Sequence, residues 1–236
     1  MKKLIIATLG LLMLSCNTEN LKNEELYQAK IQEDVLTEKG IENALGQLEK
    51  VHYSELDTQY INYSHPNGKF IKELKDKSYY KVYGSQMNLK IIGNFKVSDF
   101  IAHDTYYKTY KSNPFPEFEQ FWLIDKNVLF MMLELIQHLD EEGYNKYGFH
   151  IRNSHRHPQL NTDGSGASYS QHMFGRAIDI GVDDVDNNGK SNLQDKKILY
   201  DMLQKIVGNK GGLGLYPGKM SLHFDCRGFR ARWDWP

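Results

Sequence analysis

Hydrophobic positions recur at two spacings in the second half of the chain. Val128, Met132, Leu135 and Leu139 return every three or four residues, which predicts a helix over 126–142. Asp125 precedes it as an N-cap and Gly143 follows it as a stop. Ile198, Leu199, Met202, Leu203 and Ile206 predict a second helix over 193–207, with the methionines as core filling. Other stretches alternate with period two. Residues 147–153 read as a strand, and 176–180 as a short strand with Ala177 and Asp179 on one face and Ile178 on the other. Residues 220–225 read as a strand with Leu222 and Phe224 toward the core and Ser221, His223 and Asp225 opposite. Residues 160–168, with Gly164 and Gly166, read as loop. Helices and strands that alternate irregularly predict an α+β fold, a small antiparallel sheet with flanking helices.

The first half is patterned differently. Met1-Lys2-Lys3 leads into an apolar run, Leu4 to Leu14, which reads as a secretory signal too short to span a bilayer. Residues 17–50 are rich in Glu, Lys, Gln and Asn. Leu26, Ile31, Val35, Ile41, Leu45 and Leu48 give them only a weak helical pattern, so a partly helical tether is expected. Residues 51–92 are Tyr-rich, with turn signals at His65-Pro66-Asn67-Gly68 and Gly84-Ser85, and read as a small extension. Leu14-Ser15-Cys16 resembles a bacterial lipobox. That implies a lipid on Cys16 and a place in the bacterial cell envelope, tied to the membrane through that anchor; a plain signal peptide with an incidental cysteine is the alternative. Cys226 is the only other cysteine, so a lipidated Cys16 leaves no intrachain disulfide. A formal charge of -1 gives no reason to expect nucleic acid.

His172 and Asp179 lie seven residues apart around Gly175, which argues against one continuous helix. His172 then sits on the loop leading into the strand of Asp179, and His223 lies on a second strand. Two neighbouring strands can bring these three to one point. Any single one of the nine histidines reads more simply as a surface or core residue. Together, two imidazoles and a carboxylate suit Zn2+ and leave a fourth position for water, the mark of a catalytic rather than a structural site.

Ser170-x-His172-x-x-Gly175-x-Ala177-x-Asp179 followed by a strand-borne His223 resembles the zinc D-Ala-D-Ala carboxypeptidase and murein endopeptidase family, whose zinc site is shared by the hedgehog signalling domain. Asn94 to Phe100 is similar to the start of that family's domain. Ile151 to Pro158 is similar to its arginine-bearing segment, and Gly214 to Gly218 with Arg227 to Trp233 to its C-terminal stretch. The resemblance covers roughly residues 93–236, leaving 1–16 as signal and 17–92 as tether and extension. It implies a metallopeptidase that hydrolyses D-Ala-containing amide bonds in peptidoglycan peptide stems, with His172, Asp179 and His223 as zinc ligands. It implies Arg152 as the arginine that acts in catalysis and holds a substrate carboxylate or carbonyl. Ser170 would orient His172 or the substrate, or is a simple loop residue. The Tyr-rich segment either packs on the domain or binds wall polymer.

The chain departs from the family beside His223. Many members place a Glu three residues before the last ligand, or a His two before it; Met220 and Ser221 stand there and neither can act as a base. Asp225 is the first candidate base, and equally a carboxylate that orients His223; His155 and His157 are further candidates. The departure keeps a second function open, a zinc-binding but non-catalytic module that recognises wall peptides.

Asp184, Asp186, Asn188, Lys190, Asn192 and Asp195 fall at positions one, three, five, seven, nine and twelve of a twelve-residue loop with Gly189 at six. That is the spacing of a lone Ca2+-binding loop in which Lys190 need supply only its carbonyl. The other reading is a solvated turn with Asn192 capping the following helix.

Overall fold

The computed structural model describes residues 35–64, 66, 68–101 and 119–234. The apolar start, the lipobox-like Cys16 and residues 17–34 lie outside the described residues. Among those described, no helix is long and apolar enough to cross a membrane.

The first half forms α1 (Glu38–Leu45), β1 (Glu49–His52), α2 (Thr58–Ser64), α3 (Gly68–Leu74), β2 (Ser78–Tyr83), β3 (Lys90–Ile92), β4 (Phe95–Lys96), α4 (Val97–Phe100) and β5 (Glu119–Trp122). The second half forms α5 (Lys126–Glu141), β6 (Phe149–Asn153), α6 (Pro158–Asp163), β7 (Ala177–Val182), α7 (Leu193–Val207), β8 (Gly212–Leu215), β9 (Ser221–Asp225) and β10 (Ala231–Asp234). The fold is mixed α/β, with small, largely antiparallel sheets and several helices.

A five-stranded sheet of order β10-β8-β9-β7-β6 carries the site; only the β10–β8 pairing is parallel. On one face Ile178, Ile180, Leu222 and Phe224 are fully buried. They share a core with Val128, Met132, Leu135 and Leu139 of α5 and Leu199 and Leu203 of α7. Asp125 caps α5 by accepting the Asn127 N–H at 3.0 Å, and Asn192 caps α7 by accepting the Gln194 N–H at 2.7 Å. A second sheet, β1-β2-β5, is antiparallel throughout.

Two expectations change. Residues 35–50 are not a tether: Val35, Ile41, Ala44, Leu45 and Leu48 belong to the same core as α5. The missed position is Ala44, which completes an i, i+3, i+4, i+7 stripe with Ile41, Leu45 and Leu48 and turns a weak pattern into a buried helical face. The segment read as loop also opens with a helix. His157 Nδ1 accepts the Leu160 N–H at 3.2 Å and Pro158 takes the first helical position, so α6 starts without any apolar stripe.

The Tyr-rich segment supplies a second buried cluster. Leu56, Tyr60, Phe70, Leu74 and Tyr79 pack with Phe121, Leu123, Met173 and Phe174. Met173 and Phe174 directly follow His172. Burying such side chains is worth roughly 1.5–3 kcal/mol each, so this cluster holds the backbone of the first candidate ligand firmly.

Candidate metal centre

His172 lies in a 3-10 turn, Gln171–Phe174, that ends at Gly175 with φ +66. A side chain would be strained at that φ and a Cβ would strike the Leu123 carbonyl, so glycine lets the chain reverse against β5 and feed into β7. The Asp125 N–H donates to Gly175 O at 2.8 Å, and the Arg156 N–H to His172 O at 3.2 Å. Both fix the height of His172 above the sheet. The β7–β9 register sets Asp179 directly opposite His223 on the face away from the core.

The three side chains converge. His172 Nε2 is 3.2 Å from His223 Nδ1 and 3.2 Å from Asp179 Oδ2, and His223 Nδ1 is 2.8 Å from Asp179 Oδ1. Ligand atoms about 2.0–2.1 Å from a tetrahedral metal would stand about 3.3 Å apart, so the triangle has the size of a metal's coordination face.

The far nitrogens decide which atoms face inward. His172 Nδ1 is 2.6 Å from Ser154 O, which can only accept, so Nδ1 carries the proton and Nε2 is bare. His223 Nε2 is 2.9 Å from the Asp225 carboxylate and donates to it, turning Nδ1 inward. Burial pushes the pKa of His172 down and keeps it neutral. Burial also opposes a charge on His223, but Asp179 and Asp225 more than offset it and raise its pKa. Burial would raise the carboxyl of Asp179, yet the charges and hydrogen bonds of His172 and His223 hold it far below the usual carboxylate range. The pocket therefore attracts one positive charge. Without metal that charge is a proton shared with His223, and a metal ion would displace it. Asp179 is the more accessible ligand, its side chain 14% exposed against 2% for His172 and 6% for His223, so the open side lies there.

Asp225, the first candidate base, lies behind the last ligand. It is fully buried behind His223, on the side away from Asp179. Its oxygens accept from the Gly212 N–H at 2.9 Å, from the Arg227 N–H at 3.1 Å and from Arg227 Nε at 2.8 Å. Burial would raise its pKa, but Arg227 and His223 hold it well below the ordinary range. Of its two readings, geometry favours the carboxylate that orients His223. Arg227 also lies over the Trp233 ring, which packs against His223 at 4.9 Å, so the last ligand is braced from behind by a connected group.

His155 and His157, the further candidates, have partners elsewhere. His155 Nδ1 accepts the Leu123 N–H at 3.4 Å, and the ring of His157 packs edge-on against Tyr60 and Tyr63 while its Nδ1 caps α6. Both belong to the framework. Arg152 is exposed at a register shift in β6. Among the described residues Arg156, not Arg152, bears electrostatically on His172 and Tyr216, and its Nε is buried with no hydrogen-bond partner there. Ser170 is buried just before the 3-10 turn and its side chain does not cap it. Tyr216 was missed by sequence reasoning. Burial raises its pKa, and the charge of Asp179 adds to the rise. The only signal was its place in the Gly214-Leu215-Tyr216-Pro217-Gly218 segment.

A second convergence forms at the acidic loop, where carboxylate oxygens of Asp184, Asp186 and Asp195 come within 4.8 Å of one another. Asp184 accepts the N–H groups of Asn188 and Gly189, Asp195 those of Val185, Asp186 and Asn192, and Gly189 has φ +82. Asn188 Oδ1 turns back onto the Lys190 N–H. No protein-family model and no curated protein matches the chain.

If Asp225 orients His223, Asp225→Asn should still bind metal, with affinity lowered about 10- to 100-fold. His223→Ala should lose the metal altogether. Metal titration against a competing chelator reads both. Unchanged affinity in Asp225→Asn would remove it from the site.

Proposed function

We propose that the chain is a zinc-dependent peptidase that hydrolyses D-Ala-containing amide bonds in peptidoglycan stem peptides or crosslinks. Its fold would be of the hedgehog and D-Ala-D-Ala peptidase type, and a lipid on Cys16 would hold it at the cell envelope. The observation that carries this reading is the convergence of two inward-facing imidazole nitrogens and one carboxylate on a point with one open side. That donor set favours zinc over the harder ions, which prefer all-oxygen shells. Zinc held there would polarise a carbonyl and lower the pKa of a water toward neutrality.

The protein's own groups then divide the work. Ser154 O and Asp225 keep His172 and His223 in the tautomers that leave the inner nitrogens free. Arg156, whose charge bears on His172, would pair with a carboxylate of a wall peptide or steady the scissile carbonyl, the role the sequence pattern suggested for Arg152. One observation favours the second reading, a non-catalytic wall-peptide-binding module: Asp225, His155 and His157 are all committed to the framework.

Digestion of purified peptidoglycan separates the two. The zinc-loaded protein should release stem-peptide fragments seen by mass spectrometry, chelator should abolish release, and His223→Ala should be silent. Fully zinc-loaded wild type that sediments with peptidoglycan yet releases nothing would contradict the peptidase and support the binding module.

For the acidic loop we propose Ca2+ coordinated by Asp184, Asp186, Asn188 and Asp195, the Lys190 carbonyl and, through water, Asn192. Three carboxylates converge there and none forms an ion pair among the described residues. Their mutual repulsion at that spacing favours a cation. Millimolar calcium should raise the unfolding midpoint of the zinc-loaded protein, by about 2 kcal/mol of linkage at some tens of Kd. The rise should vanish in Asp184→Ala/Asp186→Ala. An unchanged midpoint in the parent would leave the loop as a turn and helix cap.

A further inference from the structure

An exposed histidine on the metal-bearing face of the sheet is held more firmly than its exposure requires. His150 lies on β6 opposite Gly181 of β7, and Gly181 lies opposite Ser221 of β9. Paired residues share a face, and so do residues two apart on one strand. His150 therefore stands on the same face as Asp179 and His223. The step from Asp179 to Gly181 is two strand residues, about 7 Å. His172 and its partner Ser154 O lie toward the start of β7, so His150 lies on the other side of Asp179, toward the end of that strand.

Two restraints fix the ring. Gly181 puts no side chain on that face, and a Cβ there would strike Cε1 and Nε2 of His150, so the imidazole is seated on the glycine. His150 Nδ1 is 2.8 Å from an Asp183 oxygen. A carboxylate only accepts, so Nδ1 carries the proton and the neutral ring keeps a bare Nε2. Among the described residues that nitrogen has no hydrogen-bond partner. The two side chains are 57% and 49% exposed, so the pair adds little to the stability of the fold. What it does supply is one oriented acceptor, presented to whatever lies along the sheet beside the metal centre.

We propose that His150, oriented by Asp183, is a peptide-binding residue of the metal face: its Nε2 accepts a backbone amide N–H of the wall peptide about two residues away from the bond that lies over the metal centre. An extended peptide rises roughly 3.3 Å per residue, so the step from Asp179 to Gly181 matches two residues of such a chain. This rests on the reading that wall peptides cross the metal face, and it holds for a peptidase and for a binding module alike.

The test deletes the donor and the acceptor separately. The probe is an acylated peptide ending in D-Ala-D-Ala, together with a set in which each backbone amide in turn becomes an ester, which removes one N–H and keeps the chain length. Zinc-loaded protein is assayed with each, by kcat/KM where the peptide is cleaved and by Kd where it is only bound. In wild type one ester, away from the cleaved bond, should cost about 3- to 10-fold, the range of a single neutral hydrogen bond. His150→Ala should lose a similar factor on the all-amide peptide and lose nothing more with that ester. Asp183→Asn, whose side chain can donate to Nδ1 and so shift the proton to Nε2, should lose the discrimination too. Long-range proton–nitrogen spectra of the wild type without metal or peptide, at mildly alkaline pH, should show His150 protonated at Nδ1. A ring protonated at Nε2 instead, or an ester loss that persists in His150→Ala, would overturn the contact while leaving wall-peptide recognition intact. Wild type that neither binds nor cleaves the all-amide peptide would overturn that recognition, and the contact with it.

Discussion

Three lone pairs aimed at one point are the constraint on which the site depends. His172 Nε2, His223 Nδ1 and the Asp179 oxygens stand 2.8 to 3.2 Å apart, and all of them act as acceptors once the shared proton has left. Acceptors that close repel unless a positive charge lies between them. The arrangement survives because the second nitrogen of each imidazole is spoken for, by Ser154 O on one side and Asp225 on the other. Removing either partner would free a ring to rotate and disperse the lone pairs. Backing groups with no contact to the centre, Arg227 and Trp233 among them, thus matter to it as much as the ligands do.

The rest of the fold supplies rigidity to that point from two directions. The sheet fixes Asp179 against His223 through strand register, and a slip of one residue in β7 or β9 would turn one of them into the core. His172 comes from outside the strands and is held by packing instead. Met173 and Phe174 are buried among aromatics of α2, α3 and β2, and Gly175 closes the turn against Leu123. The N-terminal half therefore participates in the metal centre without contributing a ligand. Lys196 of α7 pins the β8–β9 turn through two of its backbone carbonyls.

Much of this was legible in the sequence, because local periodicity and strand parity are local properties. Alternation placed Asp179 and His223 on one face and Leu222 and Phe224 on the other, and the stripes of α5 and α7 were readable from their apolar spacing. What parity could not say is which nitrogen of His223 turns toward its same-face neighbour Asp225. That rotation, set by Arg227 and the Gly212 N–H, makes Asp225 an orienting carboxylate. Arg152 and Arg156 are four residues apart, and only the register shift in β6 and the chain path after it decide which one reaches His172. Asp179 bears on Tyr216 from a distant part of the chain, which leaves no local signature. The helix at Ile41 gave only a weak pattern because an alanine in the stripe carries so little hydrophobicity.

The central claim concerns where protons sit on two rings, and nitrogen NMR of the imidazoles reads that directly. Long-range proton–nitrogen spectra of the zinc-loaded protein should show His172 protonated at Nδ1 only and His223 at Nε2 only. His172 Nε2 and His223 Nδ1 should move to metal-bound shifts as zinc is added. A His223 that stays doubly protonated at neutral pH under saturating zinc, or either ring in the opposite tautomer, would contradict the account.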